Sequence, residues 1–185
     1  MRDFPPLRLA VVCGSTRQGR FCDTVTEWVL LQVEHAGGFG IEVVDPRRVD
    51  EAGGTEELSA RLQRADAFVV VTPEYNHGYP APLKALIDAV GQPWQAKPVA
   101  FVSYGGISGG LRAVEQLRQV FAELHAATLR DCVSFAHAAR RFDTGGALVD
   151  PEAAEAAMRT LLARLRWWAH ALRAARQETP YAEAA

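Results

Sequence analysis

Three short segments contain most of the side chains that could do chemistry in this 185-residue chain. Residues 14–20 combine two glycines with two hydroxyls and two arginines. Residues 72–80 place two tyrosines, a glutamate, an asparagine and a histidine beside two prolines, and residues 104–110 include four glycines. Each segment follows an apolar run of strand length. Plain turns rarely contain so many functional side chains, so the three segments are candidate parts of a binding site.

Residues 14–20 match a nucleotide phosphate loop only in part. Two glycines are separated by four residues and a cation follows, but Phe21 replaces the magnesium-binding Ser or Thr of a Walker A motif and Arg20 replaces its lysine. The turn still offers backbone N–H groups, hydroxyls and guanidinium groups, which suit one phosphate with its double charge. We therefore predict a monophosphate site. The alternative is that both arginines are solvated surface charges and that Ser15 and Thr16 cap the next helix.

Apolar runs and helical periodicity alternate along the chain. The runs predict five strands, at residues 7–13, 41–45, 67–71, 97–103 and 128–135. Amphipathic patterns between and after the strands predict five helices. Alternation of this kind is typical of the α/β class, with a doubly wound parallel sheet and helices on both faces. For a single-domain chain of this size we expect the strand order 2-1-3-4-5.

Several residues outside the three segments receive structural predictions. Thr55 and Ser108 are expected to cap the second and fourth helices. Asp45 is interpreted as a strand-end cap, because the glycine fingerprint that would accompany a ribose-binding acid is missing. The tryptophans are expected mainly in the core, with Trp94 alternatively an interface anchor. Residues 177–185 are expected to fray.

The three segments are predicted to form one crevice. They follow strands that lie side by side in the expected order, and the carboxyl ends of parallel strands share one edge of the sheet. Four backbone N–H groups there could hydrogen-bond the carbonyls and ring nitrogens of a flat heterocycle, namely those of Glu74, Asn76, Gly105 and Gly106. The two glycines would let the backbone come close to such a ring.

Together the segments resemble the NADPH-dependent FMN reductase family, which comprises flavodoxin-like quinone, azo and flavin reductases. The matching motifs are Gly-Ser-Thr-Arg-Gln-Gly-Arg at 14–20, Pro-Glu-Tyr-Asn-His-Gly-Tyr-Pro at 73–80 with Leu83-Lys84 after it, and Ser-Tyr-Gly-Gly with Ser-Gly-Gly at 103–110. The likeness spans about residues 9–135. Some members of the family have a serine and an asparagine where Arg20 and Cys22 stand here.

The resemblance implies cofactor and substrate residues. The FMN phosphate would be held by Ser15, Arg17, Arg20 and the backbone near Phe21. The isoalloxazine ring and the ribityl chain would be bordered by Pro73, Glu74, Tyr75 and Asn76, and the other polar edge of the ring by Ser103, Tyr104, Gly105 and Gly106. The expected substrate contacts are His77 and Tyr79. The alternative for His77 is an ordinary surface histidine.

The implied function is that of an FMN-dependent oxidoreductase. Hydride would pass from NADPH or NADH through bound FMN to a small acceptor, such as a quinone, free flavin, an azo compound or a metal oxyanion, without a side-chain general acid. Two alternatives are a flavodoxin-type FMN electron carrier with no nicotinamide step and a nucleotide-binding regulator with no redox role. Carriers tend to be strongly acidic, whereas this chain has a formal net charge of -2, which favours the enzyme.

Composition excludes several other classes. The small net charge of -2 disfavours a nucleic-acid partner. The three cysteines are widely spaced without a C-x-x-C pair, and no histidine stands at metal-ligand spacing, so we predict neither a disulfide framework nor a metal site. Without a signal segment or a membrane-length apolar run, we expect a cytoplasmic single domain over residues 1–185. The resemblance implies a homodimer or homotetramer.

Overall fold

The computed structural model describes residues 6–49 and 53–184, which form one parallel sheet and its covering helices. The strands are β1 (Leu7–Cys13), β2 (Phe39–Val44), β3 (Ala67–Pro73), β4 (Pro98–Tyr104) and β5 (Ala127–Phe135). Their order is β2-β1-β3-β4-β5, and every neighbouring pair is parallel. The predicted doubly wound sheet and its flavodoxin-like order are confirmed.

Helices cover both faces of the sheet, as predicted. They are α1 (Cys22–Ala36), α2 (Gly54–Arg64), α3 (Ala81–Ala89), α4 (Leu111–Glu123) and α5 (Glu152–Glu178). The helices α1 and α5 enclose one hydrophobic cluster with the sheet, and α2, α3 and α4 enclose the other. Four short 3₁₀ helices lie at Pro46–Arg48, Gln92–Trp94, Ala138–Arg140 and Tyr181–Glu183.

The central strands β3 and β4 are buried along their whole length. In β3, Val69 and Val71 belong to the cluster under α1 and α5, whereas Phe68 and Val70 belong to the cluster on the opposite face. Alternate residues of a strand point to opposite faces, so a strand buried on both faces requires an unbroken apolar run. This is why the sequence run from residue 67 onward predicted a central strand.

The two edge strands are covered by arginine side chains from neighbouring helices. On β2, Arg61 of α2 donates to the carbonyl of Val43 at 2.8 Å and forms an ion pair with Glu42. On β5, Arg118 of α4 donates to the carbonyls of Leu129 and Arg130. Arg61 therefore binds a backbone acceptor of one edge strand, and Arg118 binds two backbone acceptors of the other at the point where the register between β4 and β5 shifts.

Of the four tryptophans, Trp28 and Trp94 lie in the core as predicted, and Trp167 and Trp168 do not. Trp94 has no exposed surface and its indole N–H donates to the carbonyl of Ile87 at 3.2 Å, so the alternative of an interface anchor is wrong. Trp167 and Trp168 are 64% and 41% exposed, and the prediction that they lie in the core is wrong as well. Successive residues of a helix are about 100° apart, so two adjacent tryptophans cannot both follow Leu165 into the core.

The helix ends differ from the predicted caps. Thr55 lies inside α2, whose N-cap is Gly53 in the left-handed region at φ 99°. The N-cap of α4 is Gly110 at φ 88°, which has no side chain of its own, and the first-turn N–H of Arg112 is bound by the Glu74 carboxylate of the loop after β3. Helix α5 continues through Glu178, past the point where we expected fraying. The ring of Tyr181 then packs edge-on against His125, with the hydroxyl 2.8 Å from Nδ1.

Lys97 is a buried amine that caps the carboxyl end of a helix. Its Nζ donates to the carbonyls of Leu62 and Gln63 in the last turn of α2, each at 2.9 Å. Burial lowers the pKa of Lys97 to about 7, the positive charge of Arg176 acts in the same direction, and Asp66 opposes both.

We expect Lys97→Met to remove a pH dependence from the stability of the fold. Because the pKa of Lys97 is about 7 in the folded protein and 10.5 for an ordinary lysine, the unfolded state binds more protons between these values. The free energy of unfolding therefore rises with pH in this window, by at most about 1.4 kcal/mol per pH unit. Urea denaturation of wild type and variant across the window measures the difference. Lys84→Met, at a surface ion pair with Asp88, is the control, and parallel profiles for wild type and Lys97→Met would contradict the prediction.

Candidate functional site

The loops after β1, β3 and β4 meet at one edge of the sheet, as predicted. The Ser15 hydroxyl in the first loop lies 2.7 Å from the Tyr75 hydroxyl in the second. The Ser108 hydroxyl in the third loop donates to the Glu74 carboxylate in the second at 2.6 Å. Hydrogen bonds therefore join the three loops directly into one surface.

The first loop leaves the sheet through a close backbone contact. Gly14 N–H donates to the carbonyl of Val71 at 2.7 Å, and a Cβ on Gly14 would lie 2.6 Å from that oxygen. The loop then enters α1, whose first intrahelical bond runs from Val25 N–H to the Phe21 carbonyl. The N–H groups of the first helical turn have no intrahelical acceptor, and among the residues that the structure describes no side chain caps them. The N-cap is Phe21, so the alternative that Ser15 and Thr16 cap this helix is wrong.

Arg17 presents a positive charge at the mouth of the first loop. The residue is exposed, and its Cζ lies 3.5 Å from the centroid of the Tyr75 ring in a cation–π contact. Its backbone N–H donates to the Ser15 hydroxyl at 3.4 Å. Arg17, Ser15 and Tyr75 thus form a contiguous group next to the open N–H groups of α1.

Arg20 does not offer its charge to this group. Its side chain is only 2% exposed and forms ion pairs with Asp23 and Asp45, each at 2.6 Å. Its Nη1 also donates to the Ser15 carbonyl and, at 2.9 Å, to Asp45. All three guanidinium nitrogens are engaged, so the expectation that Arg20 contacts a phosphate directly is not supported by the structure.

Asp45 is the main partner of Arg20 and also a cap, as predicted. Its carboxylate accepts from the backbone N–H of Arg47 at 3.0 Å and thereby begins the 3₁₀ helix Pro46–Arg48. Burial alone would raise the pKa of Asp45, but the hydrogen bonds from Arg20 and Arg47 outweigh it and lower the pKa to about 2. The carboxylate is therefore ionised at any pH near neutrality.

The second loop folds into a two-residue hairpin. Tyr75 and Gly78 exchange backbone hydrogen bonds at 2.9 and 3.1 Å, and the tip residues Asn76 and His77 have φ of 50° and 69°. Two central residues with positive φ are typical of a type I′ turn. Gln116 of α4 donates to the His77 carbonyl at 2.9 Å and holds the exposed tip.

Glu74 braces the second loop against the third. Besides Ser108, its carboxylate accepts from the backbone N–H of Arg112 at 3.2 Å and from the Arg112 guanidinium at 2.8 Å. Burial would raise the pKa of Glu74, but the Ser108 hydrogen bond and the Arg112 contacts outweigh it and lower the pKa. Ser108 was predicted to cap α4, and its hydroxyl donates to this carboxylate instead.

Two of the four backbone N–H groups predicted to bind a heterocycle already have partners. Glu74 N–H donates to the Tyr104 carbonyl at 3.1 Å, and Gly105 N–H donates to the Phe135 carbonyl at 3.2 Å. These two predictions are wrong, because both groups extend the backbone hydrogen bonding of the sheet into the loops. Gly106, in contrast, is exposed and has no atom within 4 Å of the position a Cβ would take. Asn76 is exposed as well.

The third loop is held in place by the hydroxyls of two serines on β4 and β5. The hydroxyls of Ser103 and Ser134 both donate to the Gly109 carbonyl, at 2.8 and 2.9 Å. Ser103 is fully buried, so the structure places it as a brace rather than at the surface of the crevice. Tyr104 is also buried, and its ring packs against Phe21 with centroids 5.9 Å apart. Burial raises the pKa of the Tyr104 hydroxyl.

The two expected substrate residues lie on the same side of the crevice. His77 is exposed at the hairpin tip, whereas Tyr79 is half-buried against the cluster formed with α2, α3 and α4. Within the described residues, no group of three or more His, Cys, Asp or Glu side chains is arranged to hold a metal ion.

Comparison with known proteins identifies the family. The profile of the NADPH-dependent FMN reductase family matches residues 7–140. The chain belongs to this family. It is 32% identical over 177 residues to the probable NADPH:quinone oxidoreductase 1 of Oryza sativa subsp. japonica. This match covers 85% of this chain and 90% of the rice protein. The chain is 35% identical over 130 residues to an NAD(P)H-dependent FMN reductase of Schizosaccharomyces pombe, across 61% of this chain and 64% of the yeast protein.

A solved structure supports the fold of this FMN reductase family member. The flavoenzyme NAD(P)H:(acceptor) oxidoreductase FerB from Paracoccus denitrificans superposes with a TM-score of 0.70 at 19% identity, covering 88% of this chain and 97% of FerB. Membership of the family implies an oxidoreductase that uses FMN with NAD(P)H as the electron donor. The predicted family, enzyme class and cofactor are confirmed.

The residues of the first and third loops fit FMN. The donors that a phosphomonoester requires are the exposed Arg17, the N–H groups of the first turn of α1 and the Ser15 hydroxyl, which is fully buried in this structure and would have to exchange its contact with Tyr75. Gly106 leaves the backbone of the third loop open where a flat ring would approach.

Sequence reasoning missed the residues of α4 that hold the loops. Arg112 binds the Glu74 carboxylate and Gln116 binds the His77 carbonyl. Both stand on the polar face of an amphipathic helix, where their spacing does not distinguish them from solvated residues.

We expect Glu74→Gln to loosen the contact between the second and third loops. The substitution removes the charge from two short hydrogen bonds, so it should lower the free energy of unfolding by about 1–3 kcal/mol at pH 7. Because the pKa of Glu74 is lowered in the folded state, this loss should shrink as the pH falls below its ordinary value of 4.5. Urea denaturation of wild type and variant at pH 7 and at a pH below 4.5 measures this loss of stability. Asp88→Asn, at the surface pair with Lys84, should cost less than about 1 kcal/mol; an equal cost for both variants would contradict the prediction.

Proposed function

We propose that this protein is an FMN-dependent NAD(P)H oxidoreductase that passes hydride from NAD(P)H through bound FMN to a small acceptor. The observation that carries the proposal is the 2.7 Å contact between the Ser15 and Tyr75 hydroxyls. It brings a cationic, donor-rich turn into direct contact with an aromatic hairpin in a member of the NADPH-dependent FMN reductase family.

The first loop holds the phosphate of FMN. Its ligands are the Ser15 hydroxyl, the Arg17 guanidinium and the backbone N–H groups from Phe21 onward. In this structure the first two of these groups contact Tyr75, and a phosphate dianion is a stronger partner than a phenol for both of them. Arg20 supports the loop from behind.

The second and third loops border the ring and the ribityl chain. The bordering residues are Pro73, Tyr75 and Asn76 in the second loop and Tyr104, Gly105 and Gly106 in the third. Glu74 and Ser103 fix the shape of these loops through their hydrogen bonds. When FMN is bound, its isoalloxazine accepts hydride from NAD(P)H and delivers it to the acceptor. The side chains bind and orient, and none is required as a general acid.

The acceptor and the nicotinamide use the open side of the crevice in turn. His77 at the exposed hairpin tip and Tyr79 beside it are the contacts we assign to them. The names of the rice and yeast relatives favour a quinone or free flavin, and azo compounds and metal oxyanions of similar size are further candidates.

The oligomeric state and the cellular location of the protein are part of the same proposal. Ile107 and Leu111, beside the third loop, are 79% and 44% exposed, and a second copy of the chain covers them in a homodimer or homotetramer. No helix in the described part of the chain is long and apolar enough to cross a membrane. The protein works on small molecules in the cytoplasm.

An absorbance spectrum with and without added FMN, followed by NADPH and NADH oxidation assays, tests the proposal. Purified protein should bind FMN at micromolar or lower concentration, and it should oxidise the nicotinamide in continuous turnover when a quinone or free flavin is present as the acceptor. A flavodoxin-type carrier would bind FMN without oxidising NAD(P)H, and protein that binds no FMN would overturn the proposal altogether.

We expect Arg17→Gln to weaken binding of FMN but not of riboflavin. The substitution removes one charge-assisted hydrogen bond to the phosphate, which riboflavin lacks, so the Kd for FMN should rise about tenfold or more. Flavin fluorescence quenching measures both constants. Gln18→Ala, in the same exposed turn, is the matched control. If Arg17→Gln raised the Kd for FMN and the Kd for riboflavin by the same factor, Arg17 would not contact the phosphate.

A further inference from the structure

We propose that Arg20, Asp23 and Asp45 form a positioning clamp, which sets the conformation of the FMN phosphate loop without touching the phosphate. The inference rests on the proposed function. It assigns a role in cofactor selection to Asp45, which belongs to none of the three site loops.

The clamp is an ion-pair network behind the first loop, in which Arg20 and Asp45 are buried and Asp23 is half-exposed. The exposed Arg47 guanidinium adds a further contact to Asp45 at 3.2 Å. The side chains of Arg20 and Asp45 are 2% and 9% exposed, and their ion pair is formed by two hydrogen bonds, at 2.9 and 2.6 Å. Asp23 accepts from Nε and Nη2 of Arg20 at 2.8 and 2.6 Å. The remaining contact runs from Nη1 to the carbonyl of Ser15, inside the phosphate loop.

The strand order brings Asp45 to this position. Val44 pairs with Val12 in the parallel register of β2 and β1, so Asp45 follows β2 beside Cys13 at the end of β1. It therefore reaches Arg20 across 25 residues of sequence. The edge strand, which has no binding motif, supplies the anchor of the clamp.

A direct contact between Arg20 and the phosphate is disfavoured by charge and burial. Turning the guanidinium toward the crevice would leave Asp45 buried without its main partner, which is costly. In place, the guanidinium lies against both carboxylates that border the phosphate loop. It thereby reduces the repulsion that Asp23 and Asp45 would exert on a bound dianion.

The clamp acts through the peptide group between Ser15 and Thr16. The carbonyl of Ser15 and the N–H of Thr16 belong to one planar trans peptide and point in opposite directions. Because Arg20 binds the carbonyl, the Thr16 N–H points away from Arg20, and the loop is fixed before FMN arrives. A loop that is ordered in advance loses less conformational entropy on binding.

The decisive test is Asp45→Asn, compared with Glu42→Gln. Glu42 lies in β2 and Asp45 directly follows it, and both carboxylates pair with an arginine, but the partner of Glu42 is Arg61, which lies on α2 and not in the loop. We expect Asp45→Asn to raise the Kd for FMN about tenfold and to change the Kd for riboflavin less than twofold, so that the preference for FMN falls. Glu42→Gln should leave this preference unchanged. Flavin fluorescence quenching supplies all the constants.

The sign of the effect separates positioning from direct binding. If Arg20 bound the phosphate itself, Asp45→Asn would release the guanidinium and remove a negative charge, and FMN would bind more tightly. Tighter binding, or an unchanged preference for FMN over riboflavin, would overturn the proposal. Wild-type protein with no preference for FMN would instead refute the phosphate site, and the clamp with it.

Arg20→Lys provides a second variant with the charge retained. A lysine cannot bind two carboxylates and a carbonyl in the planar arrangement of a guanidinium group, so positioning predicts a loss of FMN preference similar to that of Asp45→Asn. The double variant should lose less than the sum of the two single effects, since both act on one network. Full retention of the preference in Arg20→Lys would count against the clamp. Urea denaturation without flavin checks that each variant folds.

Discussion

The hydrogen bond from Gly14 N–H to the Val71 carbonyl is the contact on which the arrangement of the site depends. At 2.7 Å it ties the end of β1 to the end of β3 and fixes the point at which the first loop leaves the sheet. A Cβ at residue 14 would lie 2.6 Å from the same oxygen, so only glycine allows this approach. Every later contact between the loops assumes this spacing, including the one between Ser15 and Tyr75.

The three loops are held by polar contacts that lie largely buried behind the surface of the crevice. Arg20 supports the first loop through Asp45, Glu74 supports the second through Ser108, and Ser103 supports the third through the Gly109 carbonyl. Each support is largely buried, where a hydrogen bond is electrostatically stronger than in water. Flavin chemistry asks the protein mainly for position and polarity, so a rigid frame with few reactive side chains is consistent with the family's function.

The sequence predicted the architecture well because its elements are locally encoded. Unbroken apolar runs, such as the one at residues 67–71, can only be central strands when helices alternate with them, and the strand order then places three glycine-rich or aromatic turns together. The positions of the three loops were predictable for the same reason. The chemistry of each loop residue was less so, because residue type alone does not show which polar groups already have a partner.

Arg20, Glu74 and Ser103 illustrate that limit. Each stands in or next to one of the three loops, and each was expected to contact the cofactor. Their partners lie elsewhere in the sequence, as Asp45 does for Arg20, so only the folded chain shows that they are occupied. The partners of the backbone N–H groups of Glu74 and Gly105 are likewise set by the tertiary structure. Both groups donate to carbonyls of neighbouring strands and are not open to a ligand.

The arginines that cover the edge strands have a consequence for self-assembly. Arg61 and Arg118 occupy outward-facing carbonyls on β2 and β5, the two ends of the sheet. An incoming strand from another molecule would have to displace a charged side chain at either end before it could add to the sheet. Ribbon-like growth by edge-to-edge addition of strands is thereby discouraged.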